Sequence, residues 1–77
     1  MNIYAKNGDK VIVTKESVEN GYDSDSKLVK SNLVINKIYE VERTEVSSFN
    51  TKVYIKGFPF AFNSVNFEDV EENNKED

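Results

Sequence analysis

Three stretches of this chain alternate apolar and polar residues with a period of two, and this pattern constrains the fold more than any other feature. In "GDKVIVT" (residues 8–14) Val11 and Val13 fall on one side and Ile12 on the other. Successive side chains of a strand point to opposite faces, so this is strand periodicity, and the β-branched residues that fill the stretch suit a pleated surface. Gly8-Asp9 supplies a turn just before it. The pattern predicts a first strand over residues 9–14, with Ile3 and Tyr4 as a short edge piece ahead of it. "LVINKIYEVERTEV" (33–46) repeats the alternation, with a bend expected at Asn36-Lys37. Tyr39, Val41 and Arg43 share one face, and Ile38, Glu40 and Glu42 the other. Tyr39 and Val41 are the inward choices, because the opposite face is mostly charged. "SSFN" (47–50) reads as a hairpin connection, and "TKVYIKG" (51–57) as the returning strand with Val53 and Ile55 inside.

The stretch "GFPFAFNSVNFEDV" (57–70) holds four of the five phenylalanines and the only proline. Phe58, Phe60 and Phe62 alternate with Pro59 and Ala61, so on a strand the three rings share a face, most simply the core face. Proline cannot donate to a strand ladder and belongs at a strand start, an edge or a bulge. "NSVNF" predicts one helical turn of the 3₁₀ kind, capped by Asn63 or Ser64. Phe67 and Val70 then follow as the apolar residues of a last strand. Gly57 is expected to turn the chain between strands.

Seventy-seven residues fit one domain with a thin core. The chain has no cysteine and no histidine. Disulfides, thiolate metal sites and cysteine nucleophiles are thereby removed, together with the side chain that most often serves as a base near neutral pH. No metal or cofactor is expected, and a non-enzymatic role is. No apolar run approaches the roughly 20 residues that cross a bilayer, and the opening "MNIYAKNGDK" does not read as a secretion signal. A cytoplasmic protein with no membrane partner is expected. The net charge of −4 is unevenly placed: residues 68–77 carry six acids and one base, and the rest of the chain eight acids and nine bases. Residues 1–70 are read as the domain and 71–77 as an acidic, disordered tail. That tail is either a solubilising terminus or an arm that imitates nucleic-acid charge or docks on a basic partner. A nearly neutral body argues against non-specific nucleic-acid binding, which needs clustered cations.

Residues 15–32, "KESVENGYDSDSKLVKSN", break the alternation. Gly21, Asp23, Ser24, Asp25 and Ser26 are turn formers, and only "KESVEN" has a short helical pattern. A loop of this length is uncommon in a compact domain and often carries function, so it is the first place to seek a binding surface. Val18, Tyr22, Leu28 and Val29 are its apolar anchors. "DSDSK" (23–27) faintly resembles a calcium loop but lacks the central glycine and distal glutamate. The carboxylate pairs Glu40/Glu42, Asp23/Asp25 and Glu68/Asp69 have no cleft motif around them, and strand-face charges are ordinarily solvated. Phe49, at a hairpin tip, is expected to be exposed. Tyr22, Phe49, Arg43, Lys52 and Tyr54 are the candidate partner-binding residues: aromatic anchors and cations on or beside the loops and the hairpin.

The element order, with a long connection after the first strand and "FNSVNFEDV" at the end, resembles small Src-homology-3-type β-barrels. More narrowly it resembles small bacteriophage and prophage proteins of that fold. The shared pattern is carried by Gly8-Asp9-Lys10-Val11, Leu33, Lys37-Ile38-Tyr39-Glu40-Val41, Val53-Tyr54-Ile55 and Phe67-Glu68-Asp69-Val70. The resemblance implies an all-β, five-stranded barrel with one short 3₁₀ turn before the last strand. Signalling domains of this fold hold polyproline segments in an aromatic groove that includes a tryptophan. This chain has no tryptophan, so that ligand class is not expected. The expected function is a protein-binding module, phage-encoded, that inhibits or modulates a host or defence protein. The alternatives are a nucleic-acid-binding small barrel and a small component of a phage assembly. A monomer or small homo-oligomer is expected.

Overall fold

A computed structural model describes residues 1–70. Five short strands form one antiparallel sheet: β1 (Lys10–Ile12), β2 (Ile38–Val46), β3 (Thr51–Ile55), β4 (Ala61–Asn63) and β5 (Glu68–Asp69). Their order across the sheet is β4-β3-β2-β1-β5. The long strand β2 serves two half-sheets. Residues 38–40 pair with β1, Lys10 opposite Glu40 and Ile12 opposite Ile38. Residues 41–46 pair with β3, Val41 opposite Ile55 and Val46 opposite Thr51. The register slips between Val41 and Arg43, a bulge that bends the strand where one half-sheet gives way to the other.

The alternation placed the core correctly. Val11, Val13, Val41, Val53, Ile55, Phe62 and Phe67 are buried between the half-sheets. Phe58, Phe60 and Phe62 do gather on the core side, ring edges against ring faces with centroids 5.3–6.4 Å apart, and Phe62 passes the stack on to Phe67. Phe58 and Phe60 stay half-buried at its margin. The expected 3₁₀ turn spans Ser64–Asn66, and the Asn63 side chain caps it by accepting from Val65 N at 3.2 Å. The bend before β2 is made by Asn36, whose φ is +71°.

Four expectations need correction. The chain is not all-β: Asp23–Asn32 is an α-helix, α1, within the stretch read as a loop, and a 3₁₀ turn over Ser17–Glu19 precedes it. The first strand is Lys10–Ile12 rather than 9–14, because Val13 and Thr14 leave the ladder, Thr14 N bonding Ser17 Oγ and Ser17 N bonding Thr14 Oγ1. Ile3 and Tyr4 sit in a turn, where Tyr4 N is held by the Asn2 side chain. Arg43 does not share the inner face with Val41. The bulge advances the phase by one residue, so that Thr44 turns inward and donates to Ile3 O, while Arg43 lies outside opposite Tyr54. The sheet is open, and the expected acidic tail lies outside the described residues.

One buried polar side chain ties the two 3₁₀ turns together, and a second joins α1 to them. Asn66 is fully buried, and its Nδ2 donates to Ser17 O, Val18 O and Asn20 O at 3.2, 3.2 and 2.9 Å. Ser26, on the buried side of α1, donates to the same Val18 O at 2.6 Å. Ser17 Oγ reaches back to Asn66 O at 2.9 Å. These bonds add to the pairing of the carbonyls of the irregular stretch 17–20, where Ser17 O also accepts from Asn20 N. The sheet margins are also occupied. At β5, Met1 N donates to Phe67 O and Asn2 N to Asp69 Oδ1. At β4, Asn63 Nδ2 donates to Asp25 Oδ2 at the start of α1.

Candidate functional site

A groove of about 430 Å³ opens on the outer side of β3 and β4, between the start of α1 and the β2–β3 hairpin. Lys52, Tyr54, Ala61 and Asn63 line it from the sheet. Pro59 and Phe60 line one end, and Asp25 and Asn50 belong to the helix and hairpin borders. The cross-strand register explains its shape. Tyr54 lies opposite Ala61 and Lys52 opposite Asn63, so large side chains of β3 face small or short ones of β4. The methyl of Ala61 leaves open the space that a larger residue fills.

Asp25 forms one border because the chain turns tightly into α1. Gly21, at φ +77°, precedes the helix, and a Cβ there falls 2.9 Å from Asp25 Oδ2. The same oxygen accepts from Tyr22 N at 3.0 Å and from Asn63 Nδ2 at 3.1 Å, half of the reciprocal arrangement that caps helices. Asp25 therefore holds helix and sheet edge together, and its Oδ2 is already engaged.

Arg43 and Tyr54 stand side by side in the neighbouring row. The guanidinium lies over the ring, 3.8 Å from its centroid, a cation–π contact. Arg43 also bonds the Glu45 carboxylate, which accepts a longer bond of 3.4 Å from the Tyr54 hydroxyl. The hydrogen bond from Arg43 holds the Glu45 carboxyl below its ordinary range, and the same bond raises the Arg43 guanidinium further. Further along the face, Lys56 pairs with Glu40 at 3.3 Å.

Two of the five sequence candidates line the groove, and two more stand close in the chain to its lining residues. Lys52 and Tyr54 line it. Tyr22 is the residue before α1, three positions from Asp25, and Phe49 directly precedes Asn50. Both rings are free: Tyr22 is 76% and Phe49 97% exposed. Arg43 lies behind Tyr54 rather than among the groove's lining residues, and Lys52 lies opposite Glu45. Asp25, Asn50, Ala61 and Asn63 were not among the binding candidates of the sequence reading. The signal for Asp25 was there: acid at the third helical position after a Gly-Tyr entry is a helix-start pattern. Among the described residues there is no cluster of side chains able to hold a metal ion.

A family model described as bacteriophage T4 protein Y07B matches residues 2–77. The chain belongs to that family. The Y07B match takes in every residue of the groove and the sheet, and it agrees with the small phage proteins that the sequence resembles. No match was found among curated proteins or among solved structures. Among the described residues no helix is long and apolar enough to cross a membrane.

Proposed function

We propose that this Y07B-family protein is a non-enzymatic protein-binding module through which a phage inhibits or modulates a host or defence protein. The observation that carries this reading is the exposure of two aromatic rings, Tyr22 and Phe49, whose chain neighbours Asp25 and Asn50 line one groove. Neither ring contributes to the buried core, and aromatic anchors beside polar groups are what protein interfaces concentrate their binding energy in. Asp25 at the groove border is held by the Asn63 amide, and Glu45 behind it by Arg43, which suits recognition better than proton transfer. We further propose that this open sheet, bent at the β2 bulge, is of the Src-homology-3-like type. This is supported by the strand order, the long β1–β2 connection, the bulge that bends β2 and the 3₁₀ turn before β5.

The test is capture from a lysate of the phage's bacterial host on the immobilised full chain, beside a Tyr22→Ala/Phe49→Ala variant. A defined host protein held by the wild type and lost from the variant is expected. Retention of no protein, or equal retention by both chains, refutes the reading.

A further inference from the structure

We infer that Asn20 is a self-modification site, where attack by Gly21 N converts the side-chain amide to aspartate or isoaspartate at the entrance to α1. The reaction needs no partner and is independent of the protein-binding reading.

The chain contains two Asn-Gly pairs, Asn7-Gly8 and Asn20-Gly21. A glycine after asparagine has no Cβ to shield its amide nitrogen, so that nitrogen can reach the asparagine Cγ. Both asparagines are exposed, but the two glycine nitrogens differ. Gly8 N donates to Val41 O at 2.8 Å, and Val41 N donates to Asp9 O at 2.8 Å. This reciprocal pair knits the turn to β2, so Gly8 N is released only when that corner of the sheet opens. Gly21 N has no hydrogen-bond partner among the described residues, and Gly21 is exposed. Its direction follows from the carbonyl before it. Asn20 O accepts from the buried Asn66 Nδ2 at 2.9 Å. The C=O and N–H of a trans peptide point opposite ways, so the Gly21 N–H is turned toward solvent, where hydroxide reaches it.

One bond holds the Asn20 side chain, from Nδ2 to Val65 O at 3.0 Å, at an exposed position where water replaces it readily. Once it is released, rotation about the Asn20 Cα–C bond from its ψ of 160° brings Cγ to Gly21 N. Hydroxide takes the Gly21 N–H proton, the bond from Gly21 N to Cγ forms, and the Cγ–Nδ2 bond breaks. Ammonia leaves with a proton from water, which restores the hydroxide. Water then opens the cyclic imide. Breaking the new bond to Cγ gives aspartate, and breaking the bond from Gly21 N to the Asn20 main-chain carbonyl carbon gives isoaspartate. The sum is amide and water to carboxylic acid and ammonia. Neither product's carboxylate donates to Val65 O, and each adds a negative charge between Glu19 and Asp23. Isoaspartate also lengthens the main chain by one carbon shortly before Tyr22.

The test is ageing of the full folded chain at mildly alkaline pH, then brief trypsin digestion at mildly acidic pH, where the reaction is slow, and mass spectrometry. Cleavage after Lys6, Lys10, Lys15 and Lys27 puts Asn7 and Asn20 in separate peptides, each with no other asparagine. A sample aged in urea gives the rates of both pairs without the fold. Asn20 is expected to convert about tenfold faster than Asn7 in the folded chain, the scale of the hydrogen bonding that Gly8 N must give up. In urea the two rates should converge. An isoaspartyl methyltransferase should label the aged Asn20 peptide. Conversion of Asn7 at a similar or higher rate in the folded chain, a ratio unchanged by urea, or no conversion of folded Asn20 while the urea sample converts overturns the inference. Aspartate without isoaspartate at position 20 also overturns it, because direct hydrolysis then replaces attack by Gly21 N.

Discussion

Replacing Asn66 tests whether one buried amide joins the two 3₁₀ turns of this domain. Asn66→Ala removes an amide whose two N–H groups are shared among Ser17 O, Val18 O and Asn20 O. Each N–H contributes about 0.5–1.5 kcal/mol net, so complete loss costs about 1–3 kcal/mol. Two of the carbonyls keep another donor, Val18 O from Ser26 Oγ and Ser17 O from Asn20 N, which keeps the expected loss below the upper end, about 2 kcal/mol. A domain of this length has a total of about 4–11 kcal/mol, and the melting temperature should fall by roughly 10 °C. Asn66→Asp keeps the size but aims a carboxylate at three carbonyl oxygens. It should be worse than alanine at neutral pH, and the gap should narrow on acidification. The reason is one of sign: the carboxyl's folded pKa is raised above its unfolded value, so its penalty is present when it is ionised and disappears as it protonates. Urea unfolding followed by circular dichroism across pH measures both effects. A loss under about 0.5 kcal/mol for Asn66→Ala, or an Asn66→Asp variant no less stable than Asn66→Ala at pH 7, refutes the argument.

Three further outcomes follow from the same structure. The Glu45 carboxyl should titrate below the ordinary glutamate range by NMR and return to it in Arg43→Ala; because its folded pKa is depressed, what it contributes to stability is present above the unfolded pKa and lost as pH falls through the folded one. Gly21→Ala should destabilise more than Gly8→Ala in thermal melts: both have positive φ and incur about 1–2 kcal/mol of backbone strain, but only at Gly21 does the new Cβ meet Asp25 and Val65. Asn63→Ala should speed hydrogen exchange in the first turn of α1 while leaving β1 and β2 protected, since its amide ties that turn to the sheet; uniform protection in the variant would count against the tie.

What the sequence revealed and what it hid have physical causes. Val53, Ile55, Phe62 and Phe67 were readable because a strand with one buried face writes its core at every second position. Arg43 was misplaced because a bulge inserts a residue without leaving a mark in the composition. The helix was hidden by its own buried side: Ser26, Val29 and Leu33 face inward on it or just after it, and the serine, satisfied by Val18 O, interrupts the apolar stripe that marks a helix. Tyr22 and Phe49 were recognised as exposed from loop and hairpin logic, but their common groove depends on α1 docking beside β4 through Asp25 and Asn63. No local pattern encodes a contact between residues 38 positions apart.

The occupied sheet margins bear on how the chain behaves when abundant. A β-ribbon with bare backbone along its side invites a neighbour to continue it, and fibrous precipitates grow that way. Here the first two residues cover one flank and the helix entry guards the other. Trimming or remodelling the leading residues would uncover β5, and the first symptom to look for is self-assembly rather than loss of any recognition property.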